Sequence, residues 1–138
     1  MVLHQLPPRT APEQLLQFAD QQLRHILSDV SGVNLVMLCS ADGFELLARH
    51  KTSLNNRGKL AAVSSSILAM IQAFMQEIDF VGCQSITLDA ENGKAIMSAI
   101  PHPQFPMLIV VLTTKDILLG QLLYSAKKVC EDIAHFRI

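Results

Sequence analysis

The 138 residues of the chain predict an α+β fold, an α/β sandwich with helices on the faces of a sheet, in the order helix, two strands, helix, three strands, helix. Three observations predict it. Apolar residues recur at helical spacing in three separate stretches. Between these stretches lie short strand-like runs joined by turn segments, Ala41-Asp42-Gly43 and residues 89–93. The middle helical stretch, residues 60–76, contains no acid or base, which is too apolar for a helix that buries one stripe and shows the rest to water.

Residues 1–10 read as a flexible arm and 11–138 as one domain without a linker. Thr10, Ala11, Pro12 and Glu13 resemble a capping box: a hydroxyl for the free amides, an early proline and a carboxylate three residues on. The helix that follows keeps its apolar spacing through Leu15, Leu16, Ala19, Leu23, Ile26, Leu27 and Val30 until Ser31 and Gly32 stop it. Residues 33–39 and 44–50 then form a hairpin, with the Asp42-Gly43 pair supplying positive φ. A polar connection at 52–56 leads into the middle helix, which Asn55 or Asn56 caps and which runs to about Ile78.

Residues 79–82 change the chain's direction. In the next strand Cys83, Ser85 and Thr87 alternate with Gln84, Ile86 and Leu88, and the turn at 89–93 returns the chain along 94–100 as a second hairpin. Pro101, Pro103 and Pro106 interrupt the hydrogen bonding, and the almost continuous apolar run 107–112 reads as a central strand. Thr113, Thr114 and Asp116 offer caps for the last helix. There Leu119, Leu122, Leu123, Ala126, Val129, Cys130 and Ile133 face inward, while Lys127, Lys128, Glu131 and Asp132 face water.

At about 100° per residue, Leu60, Val63, Ile67, Ile71, Phe74 and Ile78 form one stripe of the middle helix, and Ala61, Ser64, Leu68 and Met75 form a second beside it. Ala62, Ser65, Ser66, Ala69, Ala73 and Gln76 cover the rest with small or neutral groups. Two stripes and an uncharged back predict burial on two sides, by the chain's own sheet beneath and by another molecule above.

Composition narrows the function classes. Hydrophobic residues make up 50% and mean hydropathy is +0.32, which leaves apolar surface in need of a partner. Membrane insertion is not expected, because the uncharged window holds three serines and two glutamines and falls short of the roughly 20 apolar residues that a bilayer requires. Net charge is -1, aromatic residues are 5% with no Trp, and the basic residues are scattered, so nucleic acid has neither a field nor a stacking platform. The N-terminus lacks the basic and apolar regions of a secretory signal, so a cytoplasmic location is expected. Cys39, Cys83 and Cys130 sit in apolar runs and read as reduced core thiols.

The sequence carries no motif for catalysis or for binding a metal or nucleotide. A phosphate-cradling Gly-x-x-x-x-Gly-Lys-Ser/Thr loop is absent, and the five histidines lack metal-ligand spacing with each other or with cysteine. Ser64, Ser65 and Ser66 lack a nucleophile elbow and read as packing or back-bonding groups. No catalytic residue, cofactor or metal is expected. Arg49, His50, Lys51, Arg57 and Lys59 form a modest basic rim at the entry to the middle helix, a candidate contact for an acidic partner surface. The stiff loop at 101–106, with His102 and Phe105, is a second candidate contact.

The element order, with Gly32-Val33 entering the first strand, Ala41-Asp42-Gly43 at the first hairpin and Leu119-Gly120 early in the last helix, resembles the roadblock/dynein light chain family over about residues 12–135. The resemblance implies a five-stranded antiparallel sheet in the order 2-1-5-4-3. It also implies dimerisation through the middle helix and the third strand, which places Leu68, Met70, Phe74, Met75, Cys83, Ser85 and Thr87 in the dimer interface. Bacterial MglB-type members regulate small Ras-like GTPases, so the implied partners are a second copy and such a GTPase, with this chain as non-catalytic regulator or scaffold. Arg49 and Arg57 are the candidates for an arginine finger, although the resemblance implies that the GTPase is reshaped without one. The alternatives are a structural adaptor of a larger complex and a small-molecule sensor of PAS or profilin-like type, since helices on an antiparallel sheet serve those roles too.

Overall fold

A computed structural model describes residues 11–82 and 85–138. Its elements are α1 (Glu13–Asp29), β1 (Val33–Ser40), β2 (Glu45–His50), α2 (Arg57–Glu77), β3 (Ile86–Ala90), β4 (Gly93–Ile100), β5 (Met107–Thr113) and α3 (Leu119–His135). The strands form one antiparallel sheet in the order β2-β1-β5-β4-β3, as the resemblance implies.

The sheet is the middle of three layers. β5 lies at its centre between β1 and β4, and β1 and β5 are in register through Val36 opposite Val111 and Leu38 opposite Ile109. Successive side chains point to opposite faces. Val36, Leu38, Ile109 and Val111 therefore join Leu15, Leu23 and Ile26 of α1 and Leu122 and Ile133 of α3 in one core. Leu35, Met37, Leu108 and Val110 join Ala61 and Leu68 of α2 in a second core on the other face. Burial on both faces is why these two strands read as unbroken apolar runs rather than alternating ones. Two helices cover one face and a single helix covers the other, so α2 is bounded by the sheet on one side alone.

Several local expectations change. Thr10 lies outside the described residues; Pro12 stands at the N-cap of α1, and its carbonyl accepts from the Leu16 amide at 3.0 Å. Asn56 stands at the N-cap of α2 but its side chain makes no capping bond, and Leu118 rather than a Thr or Asp precedes α3. Thr113 instead ends β5, where its hydroxyl donates to the Thr114 carbonyl at 2.8 Å. In the first hairpin Gly43 alone takes positive φ, at 98°. The third strand is Ile86–Ala90, displaced toward the turn from the expected 83–88; Cys83 and Gln84 lie outside the described residues. The displacement follows from the turn, since Ala90 pairs directly with Gly93 across Glu91 and Asn92. A Cβ at Gly93 would stand 2.6 Å from the Thr113 carbonyl oxygen, so β4 enters the sheet at a residue with no side chain.

The length argument against a membrane also needs correction. α2 is 21 residues with a mean hydropathy of 1.4 over its most apolar window, long and apolar enough by length and composition to cross a bilayer. Ala61, Ser64 and Leu68 of this helix are buried, so one flank belongs to the sheet while most of its apolar window stays open.

Candidate functional site

The surface of interest is the side of α2 that the sheet leaves open. The two apolar stripes have different fates. The narrower one, Ala61, Ser64 and Leu68, goes down onto the sheet. The wider one straddles the helix: Leu60 and Ile67 pack partly against the second core, while Val63 and Phe74 stay in solvent. Small residues at 61 and 64 bring the helix backbone close to the sheet, and this lifts the large side chains on the opposite side into the open. Leu68, placed by the resemblance in the dimer interface, is 8% exposed and belongs to the chain's own core, whereas Met70 is 64% and Phe74 59% exposed. Met75 is half-buried between these extremes.

Part of the helix's uncharged back has an intramolecular purpose. Ser65 Oγ donates to the Ala41 carbonyl at 2.5 Å, and a Cβ on Gly43 would stand 3.2 Å from the Ala62 Cα. Ala62 and Ser65 are thus small because the β1–β2 turn rests on them. Ser66 back-bonds to the Ala62 carbonyl at 3.2 Å, in keeping with a helical serine that lacks an outside partner. Among the described residues the Ser64 hydroxyl is buried without a hydrogen-bond partner.

The open surface continues past the helix. Asp79 takes φ of 59°, the Phe80 amide returns to the Met75 carbonyl at 2.9 Å and the Asp79 amide to the Gln76 carbonyl at 3.3 Å. This is a Schellman end with Asp in the position usually given to glycine. It turns Phe80 back along the helix, and Phe80, Met75 and Gln72 line a shallow groove there. Phe80 and Val81 are exposed, Val81 at 92%. β3 is an edge strand of the sheet, with Thr87 and Leu88 exposed, as is Ser85 just before it. An edge strand presents unpaired amides and carbonyls, and an apolar helix face beside it compounds the need for cover.

The other candidate contacts fare differently. Arg49 reaches across to α1 and binds Asp20 through two hydrogen bonds, of 2.6 and 2.7 Å. The guanidinium hydrogen bonds hold the Asp20 carboxyl below the usual carboxylate range, against the opposing effect of its burial. The same bonds push the Arg49 pKa up. Arg57 is held by both carboxylate oxygens of Glu45 on β2, each at 3.2 Å. Both guanidiniums are thus engaged by carboxylates of their own chain. Lys59 is exposed.

His102 is buried, at 2% exposure. Its Nδ1 accepts from the amides of Gln104 and Phe105 at 3.1 and 3.2 Å. That leaves the proton on Nε2, which donates to the Phe136 carbonyl at 2.8 Å. Its role is to fasten the proline loop to the end of α3, which removes it from the partner contacts. Phe105 is half-buried against the first core and inclined to the His102 ring. Cys39 and Cys130 are buried, and desolvation pushes both thiols up to about 12, so neither offers a thiolate near neutral pH.

No protein-family model and no curated protein matches the sequence. Solved structures do match the fold. The gliding protein MglB from Thermus thermophilus superposes with a TM-score of 0.81 at 17% identity, covering 94% of this chain and 95% of that one. A structure of MglB with a tetrameric arrangement gives 0.82 at 17% identity, over 94% of each chain. A Roadblock/LC7 domain from Streptomyces avermitilis gives 0.74 at 13% identity, over 83% of this chain and 92% of that one. Superposing on these structures over most of its length, this chain has the roadblock fold of MglB and the Roadblock/LC7 domains.

Proposed function

We propose that the chain is an MglB-type roadblock module: a cytoplasmic, non-catalytic homodimer that binds a small Ras-like GTPase and alters its nucleotide cycle by positioning the switch loops. The observation that carries this reading is the open face of α2, apolar and exposed at Val63, Met70 and Phe74 and continued by Phe80, Val81 and the β3 edge. A second copy covers such a face and joins such an edge in one step, by isologous contact. The tetrameric arrangement of one structural neighbour supports self-association within this fold.

With Arg49 and Arg57 tied to their own chain, regulation proceeds by reshaping the GTPase, and Lys59 remains a candidate contact for its acidic surface. The test is GTP turnover by a candidate Ras-like GTPase, with and without the purified protein, alongside a binding measurement. A changed turnover rate with saturable binding supports the proposal, and unchanged turnover without binding sinks it. A pull-down that returns components of a larger assembly and no GTPase favours the structural adaptor instead.

A further inference from the structure

A groove of about 260 Å³ opens at the end of the sheet, where the β1–β2 turn, the start of β2 and the loop into β5 meet the entry to α1. Its floor is apolar: Met107 and Ala11 are buried, and Leu46 and Phe105 are half-buried beside them. Its rim carries the exposed Asp42, the one charged side chain among the described residues that line it. Ser40 Oγ donates to the Asp42 carboxylate, but among the described residues no cation pairs with it.

The walls are held in place by hydrogen bonds of their own. The Ala41 amide donates to the Pro106 carbonyl at 3.0 Å, which ties the turn to the loop. His102 holds the Gln104 and Phe105 amides from behind. A groove built in advance loses little freedom when it is filled.

The chain itself leads into this groove, because Ala11, where the described residues begin, forms part of its wall. Residues 1–10 contain Val2, Leu3 and Leu6, the cation Arg9 and no acid, which complements an apolar floor with an acidic rim. Leu6 precedes Pro7 and Pro8, and successive prolines restrict a backbone to extended conformations, so seating such a segment forfeits less entropy than seating an ordinary tail. At about 3.1 Å per residue in that conformation, Leu6 reaches roughly 15 Å from Ala11 and Arg9 roughly 6 Å.

We propose that residues 1–10 fold back into this groove of their own chain, with the Leu6 side chain on Leu46, Phe105 and Met107 and the Arg9 guanidinium on the Asp42 carboxylate. The short tether gives the segment an effective concentration at the groove of millimolar order or more, so contacts too weak to join separate molecules suffice. While it is seated, this end of the sheet is closed to other proteins.

NMR on the isotope-labelled full chain tests this. Nuclear Overhauser effects between the Leu6 methyls and the Phe105 ring are expected, with heteronuclear values at the Leu6 and Arg9 amides close to those of the core strands. Leu6→Ser and Leu46→Ala should each abolish the contacts with Phe105. Asp42→Asn keeps an oxygen for the Ser40 hydroxyl and loses the ion pair, so it should weaken the seating equilibrium about threefold. Unchanged resonances in β1, β5 and α3 show that each variant is folded, and Leu6→Ser alters none of the groove.

Leu6 and Arg9 amides with the heteronuclear values of a free tail overturn the proposal and leave the groove to another occupant. Contacts that survive Leu46→Ala combined with Asp42→Asn overturn it too, because the seat then lies elsewhere. So do contacts that appear only between labelled and unlabelled copies in a mixed sample, because the segment then crosses to a second molecule.

Discussion

His102 Nε2 lies 2.8 Å from the carbonyl oxygen of Phe136, joining the loop between β4 and β5 to the end of α3. On the far side of that contact the Phe136 ring stacks on Phe18 of α1 at 4.7 Å. One residue and its carbonyl therefore tie three elements on the two-helix face of the sheet.

His102→Ala leaves two amides and one carbonyl without their side-chain partner in a buried place. The expected loss is about 2–3 kcal/mol of folding stability, from unsatisfied polar groups together with lost packing. Urea denaturation measures it, and the sedimentation mass should stay that of wild type, because His102 is remote from α2. A change in mass with no change in stability would contradict the assignment.

The two faces of α2 should answer opposite tests. Leu68→Ala empties a core site and is expected to cost about 2–4 kcal/mol of stability. Phe74→Asp should leave the melting temperature of the protomer almost unchanged while dissociating the dimer, since it places a charge in a contact that becomes desolvated. Differential scanning calorimetry and analytical ultracentrifugation on the same samples separate the two effects. If Phe74→Asp unfolds the protein and keeps its mass class, the faces have been assigned in reverse.

The β1–β2 turn is held on α2 by close approach. Gly43→Ala must accommodate a side chain at φ of 98° with its Cβ 3.2 Å from the Ala62 Cα. We expect a loss of about 1–3 kcal/mol. Ser65→Ala should cost less, about 1 kcal/mol, by removing one hydrogen bond to the Ala41 carbonyl. Chemical denaturation ranks the two, and the opposite ranking would show that the turn is held by the hydrogen bond rather than by contact.

The Asp20–Arg49 pair predicts a pH dependence of definite sign. The folded-state pKa of Asp20 lies below its ordinary value. Its contribution is therefore fully present above the unfolded-state pKa and is lost as pH falls through the folded-state value. Asp20→Asn should be less stable than wild type at neutral pH, and the gap should close on acidification. Melting temperatures of both proteins between about pH 7 and pH 2 give the comparison, and a gap independent of pH would remove the pair as its source.

Much of the architecture is legible in the sequence because it is written in local patterns. The 3.6-residue period marks α1 and α3, since each buries a single stripe and shows charge behind it. β5 announces itself as a continuous apolar run because both faces are covered. The β3 boundary is harder to place because residues 83–90 alternate weakly throughout, and the decisive event is where the turn closes: Ala90 opposite Gly93.

The site is less legible. Arg49, Arg57 and His102 are polar residues that sequence alone places at the surface, and each proves to be held by a group distant in the chain: Asp20, Glu45 and the Phe136 carbonyl. A pairing across 12 to 34 positions leaves no periodic trace.

By itself the sequence determined the order of elements, the hairpin turns and the uncharged middle helix, because each follows from backbone preferences and hydrophobic spacing within a few residues. Only the tertiary structure decided which side of α2 meets the sheet. Both stripes are apolar, so the hydrophobic effect does not choose between them. The choice falls to shape: Ala61 and Ser64 let the helix settle close against Met37 and Val110, and the bulk of Met70 and Phe74 is left outside.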